Sequence, residues 1–339
     1  MKFYNSDLSK IQLGRREETE KGVEYNWTNL NPYKTELTRQ TVLVFGGNIT
    51  DNSEYANGYA KCIESLLSEK NRKNTDILSF MYKNEPIKTM GGTISQDYLE
   101  EIHSIYNALL RPLLYDRAGR MKEKQGIEKI FRKLIFVAHC GGSNFVNRII
   151  DDFYVSLLEK YPPTTAEMLV NKIQYFAYAP NQYPNHEVNS LFINPYIDTN
   201  HSWARMLNLF AEQKVDTDYP KGLNRELAKT KNRETPGAVL NDIFERYRAV
   251  AFKHGQSIYL IPARMNPDKV TGDHSIACIT KPKIVNSDTE YAPTAQIARK
   301  AAELFLNHFA SETPIDHKTA FTKISNLIYD NPPACQREM

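Results

Sequence analysis

Residues 136–145 read "FVAHCGGSNF" and join an apolar run to a segment with helical spacing. The run "KLIFVAH" at 133–139 predicts a buried strand, and "NFVNRIIDDFYVSLLEKY", which starts two residues after Gly142, predicts a helix. Cys140 therefore lies at a strand-to-helix turn, with the small residues Ala138 and Gly142 two positions away on either side. A sharp turn requires small residues there, because bulk would collide with the following helix.

The chemistry of Cys140 depends on this turn. A helix that begins near Ser143 directs its first amides and the positive end of its dipole towards the sulfur, which favours the thiolate and makes the cysteine a nucleophile. The alternative is a small buried residue at a tight turn, since free cysteines are among the most buried residue types. The sequence is also compatible with a cysteine that replaces a native serine at this position.

Strands and helices alternate on both sides of this turn. An antiparallel pair, "KIQLGR" and "VEYNWTNL", precedes strands predicted at 41–47, 76–82, 133–139 and 172–179, and helices are predicted between them. This order predicts an α/β fold, with a mostly parallel sheet and helices on both faces. Ligands are expected at the carboxyl edge of such a sheet.

The second half of the chain leaves two topologies open. The segment 188–198 predicts a strand, but it starts soon after Ala179, and parallel neighbours need a crossover of about a dozen or more residues. Either "NQYPN" turns an antiparallel extension, or the new strand is not beside its predecessor. Further elements are predicted from the sequence: a helix that ends at Gly255, strands at 257–263 and 275–285, and a final helix at 293–309.

The domain organisation follows from these elements. We expect a single α/β domain over 1–339, with an inserted cap at 199–255 and a C-terminal tail at 313–339. The stretch 211–237 is the most polar of the chain, which supports its assignment to a cap.

Composition excludes several classes of protein. Among 339 residues, 43 are basic and 40 acidic, so the net charge of +3 gives no reason to expect a nucleic-acid partner. The four cysteines are far apart, which argues against a zinc site and against a disulfide-stabilised secreted domain. No signal peptide and no transmembrane segment are expected, and a cytoplasmic location is the default. The sequence Gly46-Gly47 fits neither a dinucleotide-binding nor a phosphate-binding loop.

The segment "KLIFVAHCGGSNFV" resembles the nucleophile elbow of the α/β-hydrolase superfamily, with cysteine where serine is usual, as in its dienelactone-hydrolase-like branch. The order of elements over roughly residues 8–310 is similar to that of the family. The resemblance implies hydrolysis or transfer of an acyl group through a covalent intermediate, without a cofactor or a metal. The expected substrates are esters, thioesters or lactones, and the expected partner is a small acyl molecule.

The resemblance also implies a set of site residues. Cys140 is the nucleophile, His274 the base and Asp198 the acid that orients the imidazole, with His201 as the alternative base and Asp268 as the alternative acid. The oxyanion hole of the family uses the amide after the nucleophile and one from the loop after the third strand. Here these amides belong to Gly141 and to Gly47 or Asn48.

One residue departs from the family pattern. Many members carry the histidine just before the last helix, where this chain has Tyr291. Either a histidine reaches the cysteine from another loop, or the triad is broken. In the second case the chain is a catalytically degenerate binding or interaction protein on the same scaffold, with a protein partner bound through the cap.

Overall fold

A computed structural model describes residues 12–29, 37, 39–47, 52–82, 96–195, 248–263, 274–280, 292–310 and 317–329. Within these ranges the chain has an α/β fold in which most strand pairs are parallel, which confirms the predicted fold class. The strands are β1 Gln12–Thr19, β2 Gly22–Asn29, β3 Gln40–Phe45, β4 Thr75–Met81, β5 Leu134–His139, β6 Gln174–Tyr178, β7 Asn189–Ile193, β8 Ala249–His254 and β9 Ser257–Pro262.

The helices alternate with the strands. They are α1 Ser53–Glu64, α2 Glu69–Asn74, α3 Gln96–Ile105, α4 Lys124–Phe131, α5 Gly142–Leu157, α6 Pro163–Val170, α7 Ala277–Thr280, α8 Ala292–Phe309 and α9 His317–Tyr329. A π-helical turn, Tyr106–Leu110, and a 3-10 turn, Arg111–Leu114, continue α3. None of the helices in the described ranges is both long and apolar enough to cross a membrane.

The chain divides into two compact units. The first comprises residues 1–175 and 182–189, and the second comprises residues 176–181 and 190–339. Cys140 belongs to the first unit and His274 to the second. The predicted cap lies outside the described residues up to residue 247, and β8 occupies part of its last residues.

In the first unit the strand order is β2-β1-β4-β3-β5. β1 is antiparallel to β2 and to β4, which confirms the antiparallel pair predicted at the start of the chain. β3 is parallel to β4 and to β5, so that Leu43 lies opposite both Leu78 and Phe136. Helix α1 packs on β3 and β4, and α5 packs on β3 and β5.

The core of the first unit centres on β3. Residues 41–45 are buried without the alternation of a half-exposed strand, as expected for a parallel strand covered on both faces. The Phe45 ring stacks on Phe80 at a centroid distance of 4.6 Å and on Phe145 of α5 at 6.0 Å. This aromatic layer fixes the end of β3 against the first turn of α5.

In the second unit the order is β6-β7-β9-β8, with β7 parallel and β8 antiparallel to β9. The prediction of a helix up to residue 255 is wrong over 249–254, which form β8. Gly255 is not a helix stop but, with a φ of 55°, the first residue of a two-residue hairpin loop between His254 and Ser257. The predicted strand at 275–285 is also wrong over 277–280, which form α7.

The connection between β6 and β7 follows neither of the two predicted topologies. β7 is the neighbour of β6, with a hydrogen bond from Asn189 N–H to Ile173 C=O near the start and one from Ala179 N–H to Ile193 C=O near the end. The two strands therefore run parallel, although residues 179–188 contain no helix. His186 in this connection contacts Glu167 of α6.

Candidate active site

The backbone at Cys140 has the geometry of a sharp strand-to-helix turn. β5 ends at His139, Cys140 has a φ of 49°, and α5 begins at Gly142. The predicted strand, turn and helix around residues 136–145 are thus confirmed. A residue with a Cβ atom in this left-handed conformation costs roughly 1–2 kcal/mol. The Cys140 carbonyl accepts hydrogen bonds from the Ser143 amide at 3.1 Å and the Ser143 hydroxyl at 2.7 Å, which hold the turn in place.

Gly142 allows this turn to pack against β3. A Cβ atom placed on Gly142 would lie 2.3 Å from the Phe45 carbonyl oxygen and 2.5 Å from the Gly46 carbonyl oxygen. Both of these atoms belong to backbone, so neither can move aside as the end of a flexible side chain would. Position 142 therefore admits only glycine. This contact is the physical reason why the turn requires a small residue there.

Cys140 is buried, with 5% of its surface exposed. A nucleophile raised above the sheet is expected to be exposed, and the structure differs from the sequence-based expectation in this respect. The surroundings of Cys140 are nevertheless partly polar. Gly47 packs beside both Cys140 and His139, since a Cβ atom on Gly47 would be 3.2 Å from the Cys140 Cβ and 3.0 Å from the His139 Nδ1.

Two tyrosines hold the peptide unit that joins Gly46 to Gly47. The Tyr82 hydroxyl, which follows β4, donates to the Gly46 carbonyl oxygen at 2.6 Å. The Gly47 amide donates to the Tyr59 hydroxyl oxygen from the other end of the same peptide. Tyr59 lies on α1, and its oxygen is also 2.9 Å from the His139 Nδ1. We call Tyr59 and Tyr82 the tyrosine clamp.

The environment of Tyr59 makes its hydroxyl a weaker acid than that of an ordinary tyrosine. Burial above all, together with the nearby Cys140, Cys62 and Tyr55, raises the pKa of Tyr59 to about 12, against the lowering effect of the hydrogen bond from Gly47. Tyr59 therefore keeps its proton at neutral pH.

The structure brings together three of the predicted site residues, Cys140, Gly141 and Gly47. Gly141 immediately precedes α5, as the prediction of an oxyanion donor requires. The Gly47 amide already hydrogen-bonds to Tyr59, so this bond must be exchanged if Gly47 is to bind an oxyanion.

The other predicted site residues are not tested by this geometry. His274 is partly exposed and lies in a turn just before α7, in the second unit, so that its pairing with Cys140 stays a prediction. The remaining predicted positions lie outside the described residues: Asn48, Asp198, His201, Asp268 and Tyr291.

A second histidine cluster lies elsewhere in the first unit. The His186 Nδ1 is 2.8 Å from Glu167, its Nε2 is 3.5 Å from Asp151, and its ring packs on Tyr154 at 4.4 Å. Both ring nitrogens of His186 thus face carboxylates rather than Cys140. Within the described ranges, no group of three or more histidine, cysteine or acidic side chains is arranged to hold a metal ion.

Sequence reasoning missed the tyrosine clamp. The available signal for Tyr59 was its place on a predicted helix beside the small residues Ala56 and Ala60, which are fully buried against the sheet. For Tyr82 the signal was its position directly after β4, at the carboxyl edge where ligands are expected.

Comparison with models of known protein families gives no match for this chain, and a search of curated proteins finds no similar sequence.

Proposed function

We propose that this protein is an acyl hydrolase of α/β-hydrolase type with Cys140 as its nucleophile. The observation that carries the proposal is the φ of 49° at Cys140, between the end of β5 and the start of α5. Strained non-glycine backbone is retained where the surrounding structure over-determines it, and such positions cluster at active sites. A cysteine in that conformation, two residues before a long helix, is the arrangement that a nucleophile elbow requires.

The proposed reaction has two halves. The Cys140 thiolate attacks the substrate carbonyl carbon, and the new C–S bond places a negative charge on the carbonyl oxygen, which the Gly141 amide and one amide from Gly47 or Asn48 stabilise. Collapse of this intermediate breaks the bond to the leaving group, which takes a proton from His274.

In the second half a water molecule attacks the thioester and transfers its proton to His274. The acyl group then leaves as a carboxylic acid, and the Cys140 thiolate is regenerated. Asp198 orients the His274 ring in both halves. Esters, thioesters and lactones suit this sequence, because their leaving groups depart more easily than amines do.

A second candidate function is favoured by one observation, the 5% exposure of Cys140. A nucleophile that a substrate cannot reach performs no chemistry. On this alternative the chain is a catalytically degenerate binding protein that retains the elbow as a packing device.

Hydrolysis assays separate the two functions. We expect the wild type to hydrolyse a panel of p-nitrophenyl esters and acyl thioesters, and both Cys140→Ala and His274→Ala to reduce kcat by about 10³-fold or more. Activity that survives in Cys140→Ala contradicts the proposed nucleophile. Absence of activity across the panel in the wild type favours the binding protein.

Alkylation measures the reactivity of the thiol directly. We expect iodoacetamide to label Cys140 near pH 7 faster than Cys335 and faster than Cys62 of α1, which is more exposed than Cys140. Equal rates at the three cysteines contradict an activated Cys140, whatever the outcome of the substrate panel.

A further inference from the structure

We infer that Tyr59 is a positioning residue, which fixes the Gly46–Gly47 peptide and the His139 ring beside Cys140. The inference depends on the proposed function for its catalytic consequence, whereas the clamp itself is a matter of hydrogen bonds. The supporting observation is that one hydroxyl contacts both the loop after β3 and His139, the last residue of the strand that precedes Cys140.

The first step concerns the peptide unit. A peptide group is planar, so its carbonyl and its amide turn together. Tyr82 donates to the carbonyl of Gly46, and Tyr59 accepts from the amide of Gly47. The hydroxyl of Tyr82, which follows β4, holds the carbonyl of this peptide, and the hydroxyl of Tyr59 on α1 holds its amide. The peptide therefore has a single orientation relative to the elbow.

The second step concerns the proton of Tyr59. The hydroxyl keeps its proton at neutral pH, since burial raises its pKa to about 12. Within the described residues, the Tyr59 oxygen lies 2.9 Å from the His139 Nδ1, and the tautomer of the imidazole decides which of the two atoms donates. The Gly47 amide donates to the same oxygen. One hydroxyl therefore joins the loop after β3 to the end of β5.

The third step concerns the contrast between the two tyrosines. Tyr82 is almost fully buried and packs on Phe145 of α5 with ring centroids 4.0 Å apart, so its ring belongs to the core. Tyr59 instead lies with its ring 5.1 Å from His139 and its hydroxyl at the junction of loop and elbow. Removal of the Tyr59 hydroxyl thus releases the peptide without a cavity in the core.

The consequence for catalysis is preorganisation. An amide that stabilises a developing oxyanion is most effective when its direction is set before the carbonyl arrives. Tyr59 and Tyr82 set the plane of the Gly46–Gly47 peptide beside Cys140 before a carbonyl arrives, and the Gly47 amide then exchanges its bond to Tyr59 for one to the oxyanion. The alkylation of a thiolate by iodoacetamide develops no oxyanion, so it should be insensitive to this orientation.

The test compares Tyr59→Phe with Tyr55→Phe, a matched control on the same helix whose side chain is 49% exposed. We expect Tyr59→Phe to lower kcat for a p-nitrophenyl ester by about 10- to 100-fold, with KM and the rate of iodoacetamide labelling within about twofold of wild type. Tyr55→Phe should leave all three quantities unchanged. An equal kcat in Tyr59→Phe and wild type overturns the positioning role.

A second measurement does not depend on activity. Amide hydrogen exchange followed by NMR should show the Gly47 amide exchanging about tenfold faster in Tyr59→Phe than in wild type, because one hydrogen bond is lost. If this acceleration occurs while the wild type hydrolyses nothing, the clamp stands and the proposed function falls. An unchanged exchange rate at Gly47 overturns the clamp itself.

Discussion

Among the described residues, two strands are followed directly by a non-glycine residue in the left-handed conformation. β5 ends before Cys140, with a φ of 49°, and β6 ends before Ala179, with a φ of 47°. The support of the two residues differs. Ala179 is held by the main chain of its own sheet, through its amide and the Ile193 carbonyl, whereas the turn at Cys140 is held by Ser143, by the fit of Gly142 and by a loop that two tyrosines fix.

The comparison teaches that a strained φ alone does not identify an active site. Ala179 has no reactive side chain, and residues 180–188, which follow it directly, contain no helix. Cys140 combines the same backbone angle with a nucleophilic atom, a following helix and polar neighbours. This combination distinguishes Cys140 from Ala179, and each part of it is open to a separate test.

The largest expected effect comes from Gly142→Ala. The added methyl would meet two backbone oxygens, at 2.3 and 2.5 Å, so we expect the free energy of unfolding to fall by about 3 kcal/mol or more. Urea denaturation measures this change. Gly58→Ala, on α1 where a methyl meets no atom within 4 Å, is the control and should raise the stability by about 0.5–1 kcal/mol. A Gly142→Ala protein as stable as wild type contradicts the close packing of the elbow on β3.

A smaller effect is expected from the ionisation of Tyr59, whose hydroxyl contacts the last residue before Cys140. The pKa of Tyr59 is about 12 in the folded protein against 10 for an ordinary tyrosine. Because the folded pKa is raised, the native state holds the proton more tightly. The resulting stability is fully present below pH 10 and is lost as the pH rises through 12.

The magnitude of this loss follows from the shift of the pKa. We expect Tyr59 to contribute about 2–3 kcal/mol to the fall in unfolding free energy between pH 9 and pH 12, a contribution that Tyr59→Phe removes. Urea denaturation at the two pH values measures it, with Tyr55→Phe as the control for loss of a hydroxyl on α1. The same pH dependence in Tyr59→Phe and wild type contradicts the raised pKa.

The smallest expected effect compares the two strained residues directly. A change from alanine to glycine relieves roughly 1–2 kcal/mol of backbone strain and loses about 0.8 kcal/mol of methyl burial. We therefore expect Ala179→Gly, relative to wild type, and Cys140→Gly, relative to Cys140→Ala, each to gain about 0.5–1 kcal/mol. Thermal or urea unfolding measures both differences. A loss of stability at either position shows that its backbone is not strained.

Sequence reasoning succeeded where local pattern and tertiary structure agree. The run "TVLVF" predicts β3 because β-branched and apolar residues without alternation suit a strand that is covered on both faces. The elbow at Cys140 was equally readable, since the small residues around it have a steric reason that applies to any such turn. The antiparallel pair β1 and β2 was found from two short patterns with a polar turn between them.

It failed where a partner decides the structure. The segment "AVAFKH" at 249–254 suits a helix as well as a strand, and its pairing with β9 through the turn at Gly255 settles the choice. Spacing alone predicts that the connection 179–188 is too short for parallel neighbours. Side-chain contacts such as that between His186 and Glu167 cannot be read from spacing. The tyrosine clamp was missed for the same reason, since its bonds join residues that are distant in the chain.

The tight seat of Gly142 against β3 has a consequence for how this position could evolve or be redesigned. Neighbouring residues, rather than the thiol, determine the path of the main chain through residue 140. The side chain at this position is therefore exchangeable. Serine, the smaller relative of cysteine, should occupy the same place with the sheet and helix undisturbed. The backbone geometry of the elbow is thus independent of which reactive atom its side chain carries.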